Sequence, residues 1–93
     1  NSISQKPNNI TALYYRSLSY HELGRLHSAL DDLNQVLNYD PTLVPALFIR
    51  ADVLKSLNKI EEAIIDYENI LSEQRNNTRA KKELIKIKRA KRP

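Results

Sequence analysis

From Ile10 onward, apolar residues return at three- and four-residue spacings, broken by polar turns at regular intervals. Leu13, Ser17 and Tyr20, with Leu23 behind them, mark a first stripe and predict a helix over residues 10–23, started by Asn8 or Asn9. Gly24 follows as a left-handed terminating residue, since glycine carries no Cβ penalty there. Leu26, Ala29, Leu30, Leu33, Val36 and Leu37 predict a second helix from about His27 to Tyr39. Asp40-Pro41 ends it, because the residue before proline is pushed out of the helical region. A third helix over residues 44–57 is marked by Leu47, Ala51 and Leu54, and a fourth over residues 60–73 by Ala63, Ile64, Tyr67, Ile70 and Leu71. Between these two, Asn58 stands where Gly24 stands in the first pair, the next-best residue for that conformation. Thr78 is expected to cap a fifth helix reaching about Lys91, with a narrow stripe of Ala80, Leu84, Ile85 and Ile87. The fold class that follows is all-α.

The pattern is written twice. A shift of 34 residues lays residues 10–43 on residues 44–77 and aligns Ala12/Ala46, Leu13/Leu47, Arg16/Arg50, Leu23/Leu57, Ala29/Ala63, Asp32/Asp66 and Leu37/Leu71 as identities. A fixed period of this size marks an array of stacked supersecondary units. The expected organisation is residues 1–9 as the end of a preceding repeat or a linker, units at 10–43 and 44–77, and a basic capping helix and tail at 78–93. Pro7 lies 34 residues before Pro41, so it is expected in the closing loop of an earlier unit, which makes the chain part of a longer array. The first helix should then leave Leu13, Ser17 and Tyr20 open on its upstream side, an edge suited to self-association or to a copied helix. Arg16 with Asp32 and Arg50 with Asp66 are candidates for a repeated salt bridge.

Composition narrows the function classes. There is no cysteine, so disulfides, thiolate metal sites and cysteine nucleophiles are excluded, and the single glycine argues against a phosphate-cradling loop. No apolar run approaches the length of a membrane span, and no signal-peptide core stands at the front. The net charge of +4 hides an asymmetry: residues 1–78 hold seven Lys/Arg against ten Asp/Glu, while residues 79–93 hold eight against Glu83 alone.

The unit Leu13-Tyr14…Ser17…Tyr20…Gly24…Ala29…Leu33…Val36…Pro41 resembles the tetratricopeptide repeat, and Leu47-Phe48…Ala51…Leu54…Asn58…Ala63…Tyr67…Ile70 resembles it again without the closing proline. The resemblance covers Pro7 to about Lys91. It implies a right-handed α-solenoid whose first helices line a concave groove, acting as a non-catalytic protein-interaction module, scaffold or co-chaperone-like adaptor. Carried over by position, the groove would show Tyr14, Tyr15, Leu18, Phe48, Ile49, Asp52 and Lys55, with Arg79, Lys82 and Lys86 from the capping helix. Thr11, His21, Glu22 and Ser56, with Glu83 of the capping helix, would line the same groove. An apolar, aromatic middle with a charged rim suits a partner peptide or helix that is apolar in its centre and acidic at one end. Some members clamp the carboxylate-terminated tails of chaperones with lysine, arginine and asparagine. Those positions read here as Tyr14, Leu18, Ile49, Arg79 and Glu83, or one register on as Tyr15, Pro45 and Ile49. Neither set can pair two carboxylates, so a chaperone-tail clamp is not expected.

The tail, Lys81-Lys82 and residues 86–93, reads as a solvated cap helix, a nuclear-import signal of the Lys-Arg-x-Lys-Arg kind, or a patch for an acidic partner or nucleic acid. No aromatic interleaves the charges, so neither base stacking nor membrane anchoring is indicated. The rival readings are a scaffold or dimerisation segment with the groove unused, and an accessory binder acting through the basic helix. Neither a cofactor nor a metal is expected: His21 and His27 are six residues apart and do not share a helix face. Asp31-Asp32 and Glu61-Glu62 diverge as adjacent pairs, so no acid–base constellation supports an enzyme. Asn9-Ile10-Thr11 and Asn76-Asn77-Thr78 match the glycosylation pattern by chance. The cytoplasm or nucleus is the expected compartment.

Overall fold

The structure is a computed structural model that describes the backbone of residues 2–91 and the side chains of residues 10–90. Five helices account for it: α1 (Ser2–Glu22), α2 (Leu26–Tyr39), α3 (Val44–Ser56), α4 (Ile60–Glu73) and α5 (Thr78–Lys91). Each helix packs on the next, and α1 also meets α3. The result is a stack of helix pairs in which α1, α3 and α5 share one side and α2 and α4 the other.

Both turns inside the pairs are built alike. Gly24 and Asn58 adopt positive φ, 81° and 66°. Each lies in a Schellman closure: Arg25 N–H donates to Tyr20 C=O and Gly24 N–H to His21 C=O, and Lys59 and Asn58 repeat this onto Leu54 and Lys55. The turns between units also match. Leu43 N–H donates to Asp40 C=O and Asn77 N–H to Gln74 C=O, and the two C-capping residues share φ −133° and ψ 87°. This turn needs no proline, which is why Arg75 serves where Pro41 does in the first unit.

The core runs the length of the stack through Ala29, Leu33, Val36, Leu47, Ala51, Val53, Ala63, Tyr67 and Ile70. Alanine at position 29, and again at 63, lets the paired helices approach closely, and both are fully buried. Asp32 and Asp66 are also buried. Each receives two hydrogen bonds from the arginine one turn-pair upstream: Arg16 to Asp32 at 2.8 Å for both, and Arg50 to Asp66 at 2.9 and 2.7 Å. Arg50 adds a 3.0 Å bond to Asn34, tying the second unit to the first.

Four sequence-based expectations change. The first helix does not start at Ile10 behind an asparagine cap; its backbone continues back to Ser2, through Pro7. Ser17 is fully buried and donates to the Tyr14 carbonyl, while Leu13 and Tyr20 pack on the core. The strip α1 leaves open is instead Ala12, Arg16 and Ser19, continued by Leu23 in the turn that follows, of which Leu23 alone is large and apolar. The fifth helix is capped by Asn77 rather than Thr78: its Oδ1 accepts from the Ala80 N–H at 3.0 Å, satisfying a donor of the first turn. Finally, Ile85 leaves the buried stripe. Ala80, Leu84 and Ile87 face inward at helical spacing, and Ile85, off that line by one residue, is 55% exposed. Of the basic tail, Arg92 and Pro93 lie outside the described residues.

Candidate functional site

The side formed by α1, α3 and α5 carries two distinct regions. At the α1–α3 mouth, Ile10, Thr11, Tyr14, Tyr15, Leu43 and Pro45 wall a cleft of about 260 Å³. Helical spacing brings Ile10, Thr11, Tyr14 and Tyr15 to one face of α1. Pro45 stands one period after Thr11 and sits in the first turn of α3, where a missing N–H costs nothing. Tyr14 and Tyr15 meet edge to face with centroids 5.5 Å apart. Tyr14 is half-buried, whereas Tyr15 is 62% exposed.

Toward α5 the surface becomes polar and internally paired. Lys55 donates to Glu83 at 2.9 Å and lies 3.9 Å from Asp52, while Lys86 lies 3.8 Å from the other oxygen of Glu83. The Lys55 hydrogen bond, reinforced by the charges of Lys55, Lys86 and Arg79, holds the Glu83 carboxyl below the usual glutamate range. Tyr67 reaches this cluster from α4, and its hydroxyl donates to Asp52 at 3.3 Å. Burial, and then the Asp52 charge, push the Tyr67 phenol well above the ordinary tyrosine range. The Arg79 guanidinium lies 4.5 Å over the Phe48 ring, and Phe48 meets Tyr67 edge to face at 6.1 Å.

The sequence-assigned residues therefore separate. Tyr14 and Tyr15 form the cleft. Phe48 is not presented to solvent but buried between Tyr67 and Arg79, so it supports the surface from beneath. Asp52, Lys55, Arg79 and Lys86 gather around Glu83 and Tyr67. Ile49 packs partly on the core, Leu18 is half-buried outside the cleft, and Lys82 is exposed with no ion pair among the described residues. Sequence reasoning missed Ile10 and Leu43 as cleft walls and Tyr67 as a contributor. Pro45 it reached only through the clamp positions. The 34-residue register relating Thr11 to Pro45 was a usable signal for the mouth; nothing in the periodicity of α4 marks Tyr67 as reaching across. Among the described residues there is no cluster of three or more potential metal-ligating side chains, and no helix is long and apolar enough to cross a membrane.

Tetratricopeptide-repeat profiles match residues 11–42 and residues 44–77, which takes in both turn-linked pairs. The chain belongs to the tetratricopeptide-repeat family. At this level it is a protein-interaction module. A solved structure, the first such domain of Spaghetti (RPAP3) bound to the HSP90 peptide SRMEEVD, superposes with a TM-score of 0.82. It is 31% identical, over 95% of this chain and 72% of that one. Mouse (Mus musculus) sperm-associated antigen 1 is 38% identical over 85% of this chain. The DnaJ protein P58IPK homolog of Arabidopsis thaliana is 34% identical over the same share. The chain spans only 9% and 16% of the lengths of these two relatives.

Proposed function

We propose that this tetratricopeptide-repeat module binds a partner segment along the α1–α3–α5 side, with an aliphatic or aromatic side chain of the partner seated in the cleft of Ile10, Tyr14, Tyr15, Leu43 and Pro45. The carrying observation is Tyr15: a large aromatic, 62% exposed, at the rim of an apolar cleft held by rigid helices. Such rigid aromatic anchors bring large contact area at low entropic cost, and they dominate interface energetics when covered. The relatives and the structural neighbour, one of them a DnaJ protein and one bound to an HSP90 peptide, support an adaptor role beside a chaperone.

The mode of recognition differs from a carboxylate clamp. Tyr15 and Pro45 are apolar where a clamp needs amide and ammonium donors, and Lys55 and Lys86 are already engaged by Glu83. Apolar burial would therefore drive binding, with Arg79, which lies over Phe48, offering charge at one end. Photo-crosslinking from position 15 in cell extract, against the same probe at Glu68 on the opposite side, tests this. Expected are partners specific to position 15, lost when Pro45→Glu places a charge in the cleft of the probe-carrying protein, and little changed between low and high salt. Equal capture from both positions, or steep loss with salt, would overturn it. The heptapeptide SRMEEVD gives a second check: saturable anisotropy at micromolar concentration would restore the clamp.

A further inference from the structure

The outward face of α5 carries an arrangement that the cleft does not use. Ile85 is 55% exposed, and its helical neighbours three and four residues to either side are Lys81, Lys82, Lys88 and Arg89. All four are exposed, and none forms an ion pair with any described residue. Ala80, Leu84 and Ile87 bury the opposite side of the helix, so the ring of cations cannot turn inward. Lys86, at the border, is already drawn toward Glu83. The helix is also preorganised: the Lys55–Glu83 bond and the Arg79–Phe48 stack fix it on α3 before any partner arrives.

We propose that this face is a second docking surface, for an acidic protein segment that lays one aliphatic side chain on Ile85 and its carboxylates on the four surrounding cations. Charge complementarity selects an anionic partner, and Ile85 selects among anions. A nucleic-acid backbone has no apolar group to cover it, and α5 offers no aromatic on which a base could stack. A membrane surface calls for several apolar or aromatic side chains on the contacting face, and here Ile85 stands alone inside its ring. The patch is also short. Residues 1–77, ahead of α5, hold ten Asp/Glu against seven Lys/Arg, which repels a long polyanion and leaves room for a compact acidic segment.

Fluorescence anisotropy tests this with four probes. The first is a helical peptide with acidic residues three and four positions either side of a central leucine, and the second is the same peptide with serine at the centre. A single-stranded oligonucleotide and vesicles of phosphatidylcholine with phosphatidylserine complete the set. The leucine peptide is expected to bind at micromolar affinity, to lose about tenfold with Lys82→Glu/Arg89→Glu, and to lose about fivefold with Ile85→Ser, which leaves the charge intact. The serine peptide should lose a similar factor on the unaltered protein, so the apolar contact is tested even if a variant folds poorly. Tyr15→Ala should bind the leucine peptide as tightly as the wild type. Equal binding of the leucine and serine peptides would overturn the proposal. Tighter binding of the oligonucleotide or the vesicles than of the leucine peptide would do so as well.

Discussion

Gly24 and Asn58 hold one conformation at equivalent positions, yet one is glycine and the other is not. A Cβ placed on Gly24 would meet nothing within 4 Å, so the cost of a side chain there is purely conformational. The φ of 81° lies where an L-residue is strained. Gly24→Ala should therefore lower unfolding free energy by about 1 kcal/mol with no change in packing. Asn58→Gly, which relieves the weaker strain at 66°, should stay within about 0.5 kcal/mol of the wild type. Urea titration of both variants measures this, and equal effects in the same direction would refute the argument. Leu23 and Leu57 make a complementary case: they are identical in repeat phase, but Leu23 is 72% exposed and Leu57 packs on the core. Repeat phase fixes backbone conformation at a position, and neighbours decide what it buries.

At the scale of elements, α5 depends on a titratable contact. Glu83 is held below the ordinary glutamate range chiefly by the Lys55 hydrogen bond, so the folded carboxyl keeps its charge to lower pH than the unfolded one does. The stability this supplies is complete above the unfolded value of about 4.3 and is lost as pH falls through the lowered folded value. Hydrogen exchange followed between neutral and acidic pH should show α5 losing protection before α2. Glu83→Gln should weaken α5 at neutral pH and flatten that difference. The elements themselves were largely legible in the sequence. Helix type and turn positions follow from a period repeated across two units, and both left-handed turns were marked by residues able to adopt them. What stayed hidden needed a neighbour or a one-residue distinction. Asn77 and Thr78 both have capping chemistry, and only the backbone shows which of them precedes the helix. Ile85 adjoins the true stripe of Ala80, Leu84 and Ile87, so apolarity alone could not exclude it. Residues 2–9 are polar and hold Pro7, which reads as a loop although a proline's fixed φ is compatible with a helix. In the candidate site, Tyr15 was legible from repeat phase, whereas the pairing of Lys55 with Glu83 joins residues 28 positions apart and is set by how α5 docks.

Across the whole molecule, α3 is the element that makes two units into one body. Its buried residues, Ala46, Leu47, Phe48, Ala51, Val53 and Leu54, cover more than half of its circumference rather than one narrow stripe, leaving Pro45, Asp52 and Ser56 toward the open side. A helix buried over so wide a face is one packed by several others. Here α1, α2 and α4 pack on it, and α5 reaches it through Lys55–Glu83 and Arg79–Phe48. In a stacked array stability is shared between units and the interfaces joining them, and α3 contributes to every interface of this one. Damage at its centre should thus be felt at both ends. Leu47→Ala is expected to cost about 2–5 kcal/mol, a large share of the roughly 5–15 kcal/mol typical of a small domain. Native-state hydrogen exchange should then show α2 and α4 losing protection by the same amount, within a single unfolding transition. Ile87→Ala, on the inner face of α5, should instead reduce protection in α5 more than in α2, because only the last interface is touched. If Leu47→Ala lowered protection in α4 and left α2 unchanged, the two units would be unfolding separately, and α3 would belong to the second unit alone.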